Sequence, residues 1–329
     1  MTTWILLNTE AGSGHIPVEI IRLLKSKLSL KNTNVIMGAF GRYRPSDLPN
    51  EFLYRSSIKD LFGHLSSIYI PDLVIAIGGD GTMNMIANAI INQKWDVPLM
   101  GIGVGTGNVG PLVRFNLRKL KDLDFSALQF EYLSAIEVFK KEQLGYAFVD
   151  VVIAPTFLGT FEGKRVDFDA VEVLKSGELK VVRRSERRIA EKAFEIKLNS
   201  KTIFKGNRGV KQIAVAPLYK SEFYVGKAAT GILCYAHHTN RRAVIVLSDH
   251  PTIVARPKRP EKAVTVRQIP FGENDTIVMK GLAPNNAVIL DGNPVALVDE
   301  KELTFKYREN IIKTVIPPDG SFLPLAVHQ

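Results

Sequence analysis

Three apolar runs in the first third of the chain each lead into a glycine-rich turn, and no other feature limits the fold so tightly. Trp4–Leu7 leads into Asn8-Thr9-Glu10-Ala11-Gly12-Ser13-Gly14, and Asp72–Ile77 into Gly78-Gly79-Asp80-Gly81-Thr82. Val97–Val104 is the third run, and its turn is Gly101-Ile102-Gly103-Val104-Gly105-Thr106-Gly107-Asn108. A continuous apolar run of this length reads as a strand buried on both faces. Asn34–Phe40 reads as a further strand. Helical patterns lie between these runs: Ile20, Ile21, Leu24 and Leu28 recur behind Pro17, and Ile58–Leu65 and Met83–Ile91 follow the same period. Strands alternating with helices predict a parallel sheet with helices on both sides.

Beyond about Tyr132 the helical period mostly disappears. Short runs rich in Val, Ile, Phe and Thr replace it: Phe148–Ile153, Leu179–Val182, Ala193–Leu198, Lys211–Ala216, Ala243–Leu247, Ala263–Val266, Asp275–Met279 and Ala287–Leu290. Asn199-Ser200-Lys201, Lys205-Gly206-Asn207 and Pro284-Asn285-Asn286 are turn signals between them. This predicts an antiparallel β-rich second domain, as a sandwich or similar. The boundary is expected between Lys119 and Phe130, giving an α/β nucleotide-binding domain over 1–125 and a β-rich acceptor-binding domain over 126–313. Ala255–Glu261 reads as an exposed loop.

The length of 329 residues favours two domains and a core that needs no staples. Cys234 is the only cysteine, so an internal disulfide and a cysteine-based metal cluster are both excluded, as suits a reducing compartment. Thr2–Leu7 has neither the basic start nor the long apolar region of a signal peptide. No apolar run approaches the roughly 20 residues that span a bilayer. A cytoplasmic protein without stable membrane insertion is expected. The formal net charge of +10 invites anionic partners such as nucleotides or phosphorylated metabolites. Basic stretches of the second domain lack the aromatic interleaving of a single-strand binder, so nucleic acid is not expected. A homo-oligomer is.

The turns carry the chemistry. In an open α/β sheet, ligands bind outside the carboxyl ends of the strands, where these turns lie. Glycine lets backbone N–H groups approach phosphate oxygens, and a helix starting after the turn adds its positive end. Asp80 is the odd member, because phosphate repels a carboxylate. It could hold Mg²⁺ that bridges phosphates, accept a proton from an attacking hydroxyl, or cap the following helix. The P-loop signature is absent. Gly105-Thr106-Gly107-Asn108-Val109-Gly110 fits Gly-x-Gly-x-x-Gly but follows the fourth expected strand, not the first βα turn of a dinucleotide fold.

These turns resemble the superfamily that joins NAD kinases, diacylglycerol and sphingosine kinases, and the kinase-like proteins of acetoin catabolism. Gly78–Thr82 matches its central motif throughout. Asn8–Gly14 is similar to its Asn-Pro-x-[Ser/Ala]-Gly-x-Gly turn, with Thr9 in place of proline. Gly105–Asn108 resembles the Gly-Thr-x-Asn turn of the lipid kinases. Val149–Ile153 looks like the strand that opens the second domain, and Asp291-Gly292 falls where the family has a late Asp-Gly.

The resemblance implies a two-domain kinase with the active site in the cleft and a C-terminal segment, about 314–329, that returns to the first domain. It implies ATP or polyphosphate as donor, Mg²⁺, and a hydroxyl acceptor. Gly78, Gly79, Gly81 and Thr82 would hold donor phosphates, and Asp80 would be the catalytic carboxylate. Asn8, Gly12 and Ser13 would contact the nucleotide, and Gly105, Thr106 and Asn108 would line the same site. Asn84, Asp150 and Asp291 would serve the acceptor.

Three positions depart from the better-known branches. Val149 stands where NAD kinases carry Asn. Met85 and Asn293 stand where lipid kinases carry Glu. Pro155–Thr160 looks most like the NAD-kinase-like group of acetoin catabolism. The leading expectation is an ATP-dependent kinase acting on NAD or another small polar acceptor. The alternatives are a lipid diol kinase and a nucleotide-binding regulator without turnover. Arg183–Arg188 could clamp phosphates or be a solvated hairpin end, His15 could touch phosphate, and His237-His238 lacks spaced partners for a zinc site. No metal-ligand set is assigned.

Overall fold

The computed structural model describes residues 1–11, 16–30, 33–104, 108, 110–161, 164–182, 189–219, 242–249, 265–299 and 302–320. The chain forms two units, Met1–Leu133 with Asn310–Gln329, and Ser134–Glu309. No helix among the described residues is long and apolar enough to cross a membrane.

The first unit runs β1 (Thr2–Asn8), α1 (Val18–Ser29), β2 (Asn34–Phe40), β3 (Leu53–Arg55), α2 (Ile58–Ser66), β4 (Leu73–Gly78), α3 (Asp80–Asn92), β5 (Leu99–Gly103), β6 (Val113–Phe115) and α4 (Leu117–Asp122). Parallel pairing gives the order β3-β2-β1-β4-β5, with β6 parallel to β5. Alternation along the strands sorts their side chains into two layers. Ile5, Leu7, Ile75 and Ile77 share a core with Ile20, Ile21, Leu24 and Leu28 of α1. On the opposite face Trp4 meets Phe62 of α2 and Trp95 edge-on, at 5.6 and 5.7 Å between ring centres. The Ser57 hydroxyl caps α2 by accepting from Asp60 N at 3.1 Å, and the Asn116 side chain caps α4 by accepting from Lys119 N at 3.0 Å. Thr314 pairs in parallel with Leu99 of β5, and its buried hydroxyl donates to the Leu99 carbonyl at 2.9 Å.

The chain passes into the second unit within β7 (Gln129–Lys140) and then forms β8 (Glu142–Ala147), β9 (Val151–Ala154), β10 (Thr156–Phe161), β11 (Lys164–Asp169), α5 (Ala170–Ser176), β12 (Val181–Val182), β13 (Ala190–Leu198) and β14 (Lys201–Lys205). It continues through β15 (Gln212–Pro217), β16 (Ala243–Ser248), β17 (Val266–Phe271), β18 (Thr276–Leu282), β19 (Ala287–Leu290), β20 (Asn293–Leu297) and β21 (Leu303–Ile316). One antiparallel layer is β14-β13-β18-β21, and a second sheet is β17-β16-β15-β9-β19-β20. Phe194, Ile196, Ile277, Met279 and Phe305 of the first layer share one core with Val151, Ile153, Ile213, Val215, Ile245 and Val288 of the second. The intervening residues Val152, Ala214, Ala216, Val244, Val246 and Ile289 face the other way, against Ala170 of α5. That second cover is why the middles of these strands are apolar on both faces, although their sheet is antiparallel.

The expected β-rich unit is present, with local corrections. Of the expected strand Ala263–Val266, residues 263 and 264 lie outside the described residues; β17 is Val266–Phe271 and contains Pro270. Pro270 is tolerated because, among the described residues, β17 is an edge strand paired only with β16. Helix α5 interrupts the β texture. Asp169 caps it through Val171 N and Glu172 N, each at 3.0 Å, and Gly177 closes it at φ 78°. Of Phe148–Ile153, only the end enters β9; Phe148, Val149 and Asp150 are instead held by a distant carboxylate, as shown below.

Candidate functional site

Strand order reverses between β1 and β4, because the chain adds β2 and β3 on one side of β1 and β4 and β5 on the other. Such a switch point opens a crevice at the strands' carboxyl ends. Here those ends are Asn8 and Gly78. Asn8 Nδ2 donates to Thr82 Oγ1 at 2.9 Å, and Asn8 Oδ1 accepts from Glu10 N at 3.0 Å. One side chain thus shapes the first turn and ties it to the second. Gly78 is required by space: a Cβ there would lie 2.4–2.6 Å from three atoms of the Thr82 side chain. Thr82 is 4% exposed, so it has nowhere to retreat.

Helix α3 starts directly behind β4, which puts its N-terminus and the positive end of its dipole at the carboxyl end of that strand. Gly79 holds the N-cap position, with no side-chain cap bond. Asp80 is therefore the first helical residue rather than the cap. Its Oδ1 accepts from Gly110 N at 3.0 Å, which binds the second turn to the end of the third. Asn108 lies across both turns: its Oδ1 would be 3.2 Å from a Cβ on Gly79, and its Nδ2 2.4 Å from one on Gly103. Close by, burial and the charge of Glu10 hold the Tyr54 hydroxyl above the ordinary phenol range. Tyr54 donates to the Gly41 carbonyl.

The structure thus brings Asn8, Gly78, Gly79, Asp80, Thr82 and Asn108 together. Gly81 lies in the first turn of α3. Asn84 is 3% exposed within α3, and Asn88 Nδ2 donates to its backbone oxygen at 2.9 Å. It is placed as an interior helix residue. Gly12, Ser13, Gly105 and Thr106 lie outside the described residues, as do His15, Arg183–Arg188, Cys234, His237-His238 and Ala255–Glu261. Gly110 was not foreseen as a partner of Asp80; its place in the glycine spacing was the available signal.

In the second unit, Asp291 and Gly292 form the two-residue turn between β19 and β20, at φ 47° and 87°. The Asp291 carboxylate accepts from Phe148 N at 2.8 Å, Val149 N at 2.8 Å and Asp150 N at 3.0 Å. Asp291 N donates to the Asp150 carbonyl at 3.0 Å. Asp291 is 6% exposed and fixes the backbone that carries Asp150. Asp150 lines an open pocket. Val152, Phe157, Leu158 and Ile289 give it apolar walls, and Asp167 and Lys211 add charge. The pocket was not legible in the sequence, since its lining comes from separate strands. Among the described residues, no group of three or more His, Cys, Asp or Glu forms a metal site.

The family of the diacylglycerol kinase catalytic domain matches residues 2–113, the stretch that contains all three turns. Solved structures match nearly the whole chain. Yeast NADH kinase in complex with NADH aligns over 96% of this chain and 83% of its own, at TM-score 0.54 and 13% identity. A putative diacylglycerol kinase of Bacillus anthracis str. Sterne aligns over 97% and 98%, at TM-score 0.55 and 10% identity. The fold is that of the diacylglycerol kinase and NAD kinase superfamily. Among curated relatives, an uncharacterised protein of Archaeoglobus fulgidus is 30% identical over 184 residues, 52% of this chain and 54% of its own length. NAD kinase 1 of Prochlorococcus marinus subsp. pastoris is 39% identical over 59 residues, 18% of each chain. The chain thus spans about half the length of the first relative and less of the second.

Proposed function

We propose that this protein is a cytoplasmic ATP-dependent kinase that moves a γ-phosphoryl group to a hydroxyl of a small polar acceptor, with NAD the first candidate. The observation that carries this reading is the pair of ties at the sheet's switch point, Asn8 to Thr82 at 2.9 Å and Gly110 N to Asp80 Oδ1 at 3.0 Å. The turn amides and the start of α3 bind the donor phosphates. Asn8 and Asn108 hold the turns in register. The acceptor oxygen bonds to the γ-phosphorus as the bridging bond to the β-phosphate oxygen breaks. Asp80 takes the hydroxyl proton, and ADP leaves. Catalysis is then positioning and charge stabilisation rather than covalent chemistry.

Mg²⁺ fits the residues present. The ion is typically held by one or two carboxylates together with phosphate oxygens, and Asp80 offers a half-buried carboxylate beside the phosphate-binding turn. When bound, it would neutralise charge on the donor phosphates.

For the acceptor, the match to an NAD kinase and the likeness to an NADH kinase favour a nicotinamide dinucleotide. The pocket beside Asp150 has the apolar walls and few polar groups of a small-molecule site. The second reading is a lipid diol kinase, favoured by the diacylglycerol kinase family match. The test is incubation with Mg-ATP and a panel of NAD, NADH, diacylglycerol, sphingoid bases and polyols, with product identified by mass. Phosphorylated NAD alone is expected. Product from a lipid alone overturns the acceptor assignment. Tight ATP binding with no product from any acceptor makes the protein a nucleotide-binding regulator.

A further inference from the structure

Arg114 is 1% exposed on β6, and arginine is seldom buried so completely unless a structure uses its charge. Its Nε donates to the Pro111 carbonyl at 2.6 Å, and its guanidinium pairs with Glu131, which is 36% exposed. Pro111 is the second residue of a tight turn closed by Val113 N on the Gly110 carbonyl at 3.3 Å. The same turn is pressed against β5, where a Cβ on Gly101 would fall 2.0 Å from the Leu112 carbonyl oxygen. Gly110, the first residue of this turn, donates its N–H to Asp80 Oδ1 at 3.0 Å. A continuous path therefore runs from Glu131 through Arg114, Pro111 and Gly110 to the Asp80 carboxylate.

We propose that Arg114 is a positioning residue: by clamping the Pro111 carbonyl it aims the Gly110 N–H, and that N–H fixes the rotamer of Asp80. The catalytic part of this inference rests on the proposed role of Asp80; the link between Arg114 and Gly110 does not. A carbonyl could be satisfied by a neutral donor. The guanidinium adds a fixed, planar set of donors that holds the carbonyl and Glu131 at once, which a flexible ammonium does less well.

The test uses the full chain with Arg114→Met, Arg114→Lys, Glu131→Gln and Asp80→Asn. Amide hydrogen exchange of the ligand-free protein reads the link directly. Arg114→Met is expected to speed exchange at Gly110 about tenfold or more while amides of β4 and the middle of α3 keep their protection. Turnover should fall about 10- to 100-fold at unchanged ATP affinity, with partial recovery in Arg114→Lys. Arg114→Met added to Asp80→Asn should cost nothing more, because both act through one carboxylate. Unchanged Gly110 exchange, or losses that add in the double variant, overturns the proposal. If Arg114→Met does not fold, Glu131→Gln decides, with faster Gly110 exchange expected and unchanged exchange contradicting it. A wild-type protein without turnover would refute the kinase reading, while Gly110 exchange would still judge the link.

Discussion

Asn8 and Thr82, 74 residues apart, are joined by a 2.9 Å hydrogen bond from amide to hydroxyl. The bond connects the carboxyl end of β1 to the first turn of α3, the two elements that flank the point where strand order reverses. It makes the first and second glycine-rich turns one structure. Replacing Thr82 by valine keeps the buried shape but leaves the Asn8 amide without its acceptor. The expected cost is about 1 kcal/mol of stability, with weaker ATP binding. Chemical denaturation and calorimetric titration check it, and Thr82→Ser should retain most of the ATP affinity.

Gly78 is fixed by what lies over it. Gly78→Ala would place a methyl 2.4–2.6 Å from the Thr82 side chain, so helix and strand must part. Overpacking of this kind costs about 1–3 kcal/mol. Thermal unfolding should show that loss, and ATP binding should weaken with it because Thr82 is displaced. A variant with wild-type stability would mean that Thr82 can turn aside.

The glycine-rich end of the candidate site is more legible in the sequence than its supports are. Gly78–Thr82 behind an apolar strand is a local pattern, and β4 and α3 follow it. The Gly110 donor to Asp80 lies 30 residues away, and the amides held by Asp291 lie 141 to 143 residues away. No periodicity encodes such partners. The Asp291 carboxylate, expected at the acceptor, also accepts from three backbone amides and so anchors Phe148–Asp150. The β10–β11 hairpin escaped notice because charges dominate Lys164–Asp169. What it buries is Phe168, packed over Gly159 and against Phe157 at 5.5 Å. The short helix α5 had its cap and its closing glycine in view, but only seven residues between them, too few for a period to show.

Asp291→Asn tests the anchor. Asparagine offers one acceptor oxygen and turns two hydrogens toward amides that also donate. Leaving buried donors unmet in this way costs about 1–3 kcal/mol each, so a loss near the top of that range is expected for the unit. Equilibrium unfolding measures it, and the acceptor KM should rise more than the ATP KM because Asp150 loses its backbone support.

Tyr146 and Tyr307 should weaken the fold at alkaline pH. Burial, with the Glu137 charge beside Tyr146, raises the first above the ordinary 10.0, and burial raises the second. A phenol whose folded pKa is raised contributes stability that is complete below pH 10.0 and is lost as pH climbs from there through the folded value. Phenolate absorbance at 295 nm should therefore show a late fraction that ionises only as the protein unfolds. Complete titration around pH 10 with the fold intact would contradict this assignment.

The central claim is that Asp80 serves phosphoryl transfer in a turn built to hold the donor. Turnover and ATP binding of Asp80→Asn against wild type, with Mg-ATP and the best acceptor, test it most directly. A loss of turnover of about a hundredfold or more is expected, with the fold intact and ATP still bound. Turnover equal to wild type in a folded Asp80→Asn would contradict it and reduce Asp80 to a structural tie between α3 and Gly110.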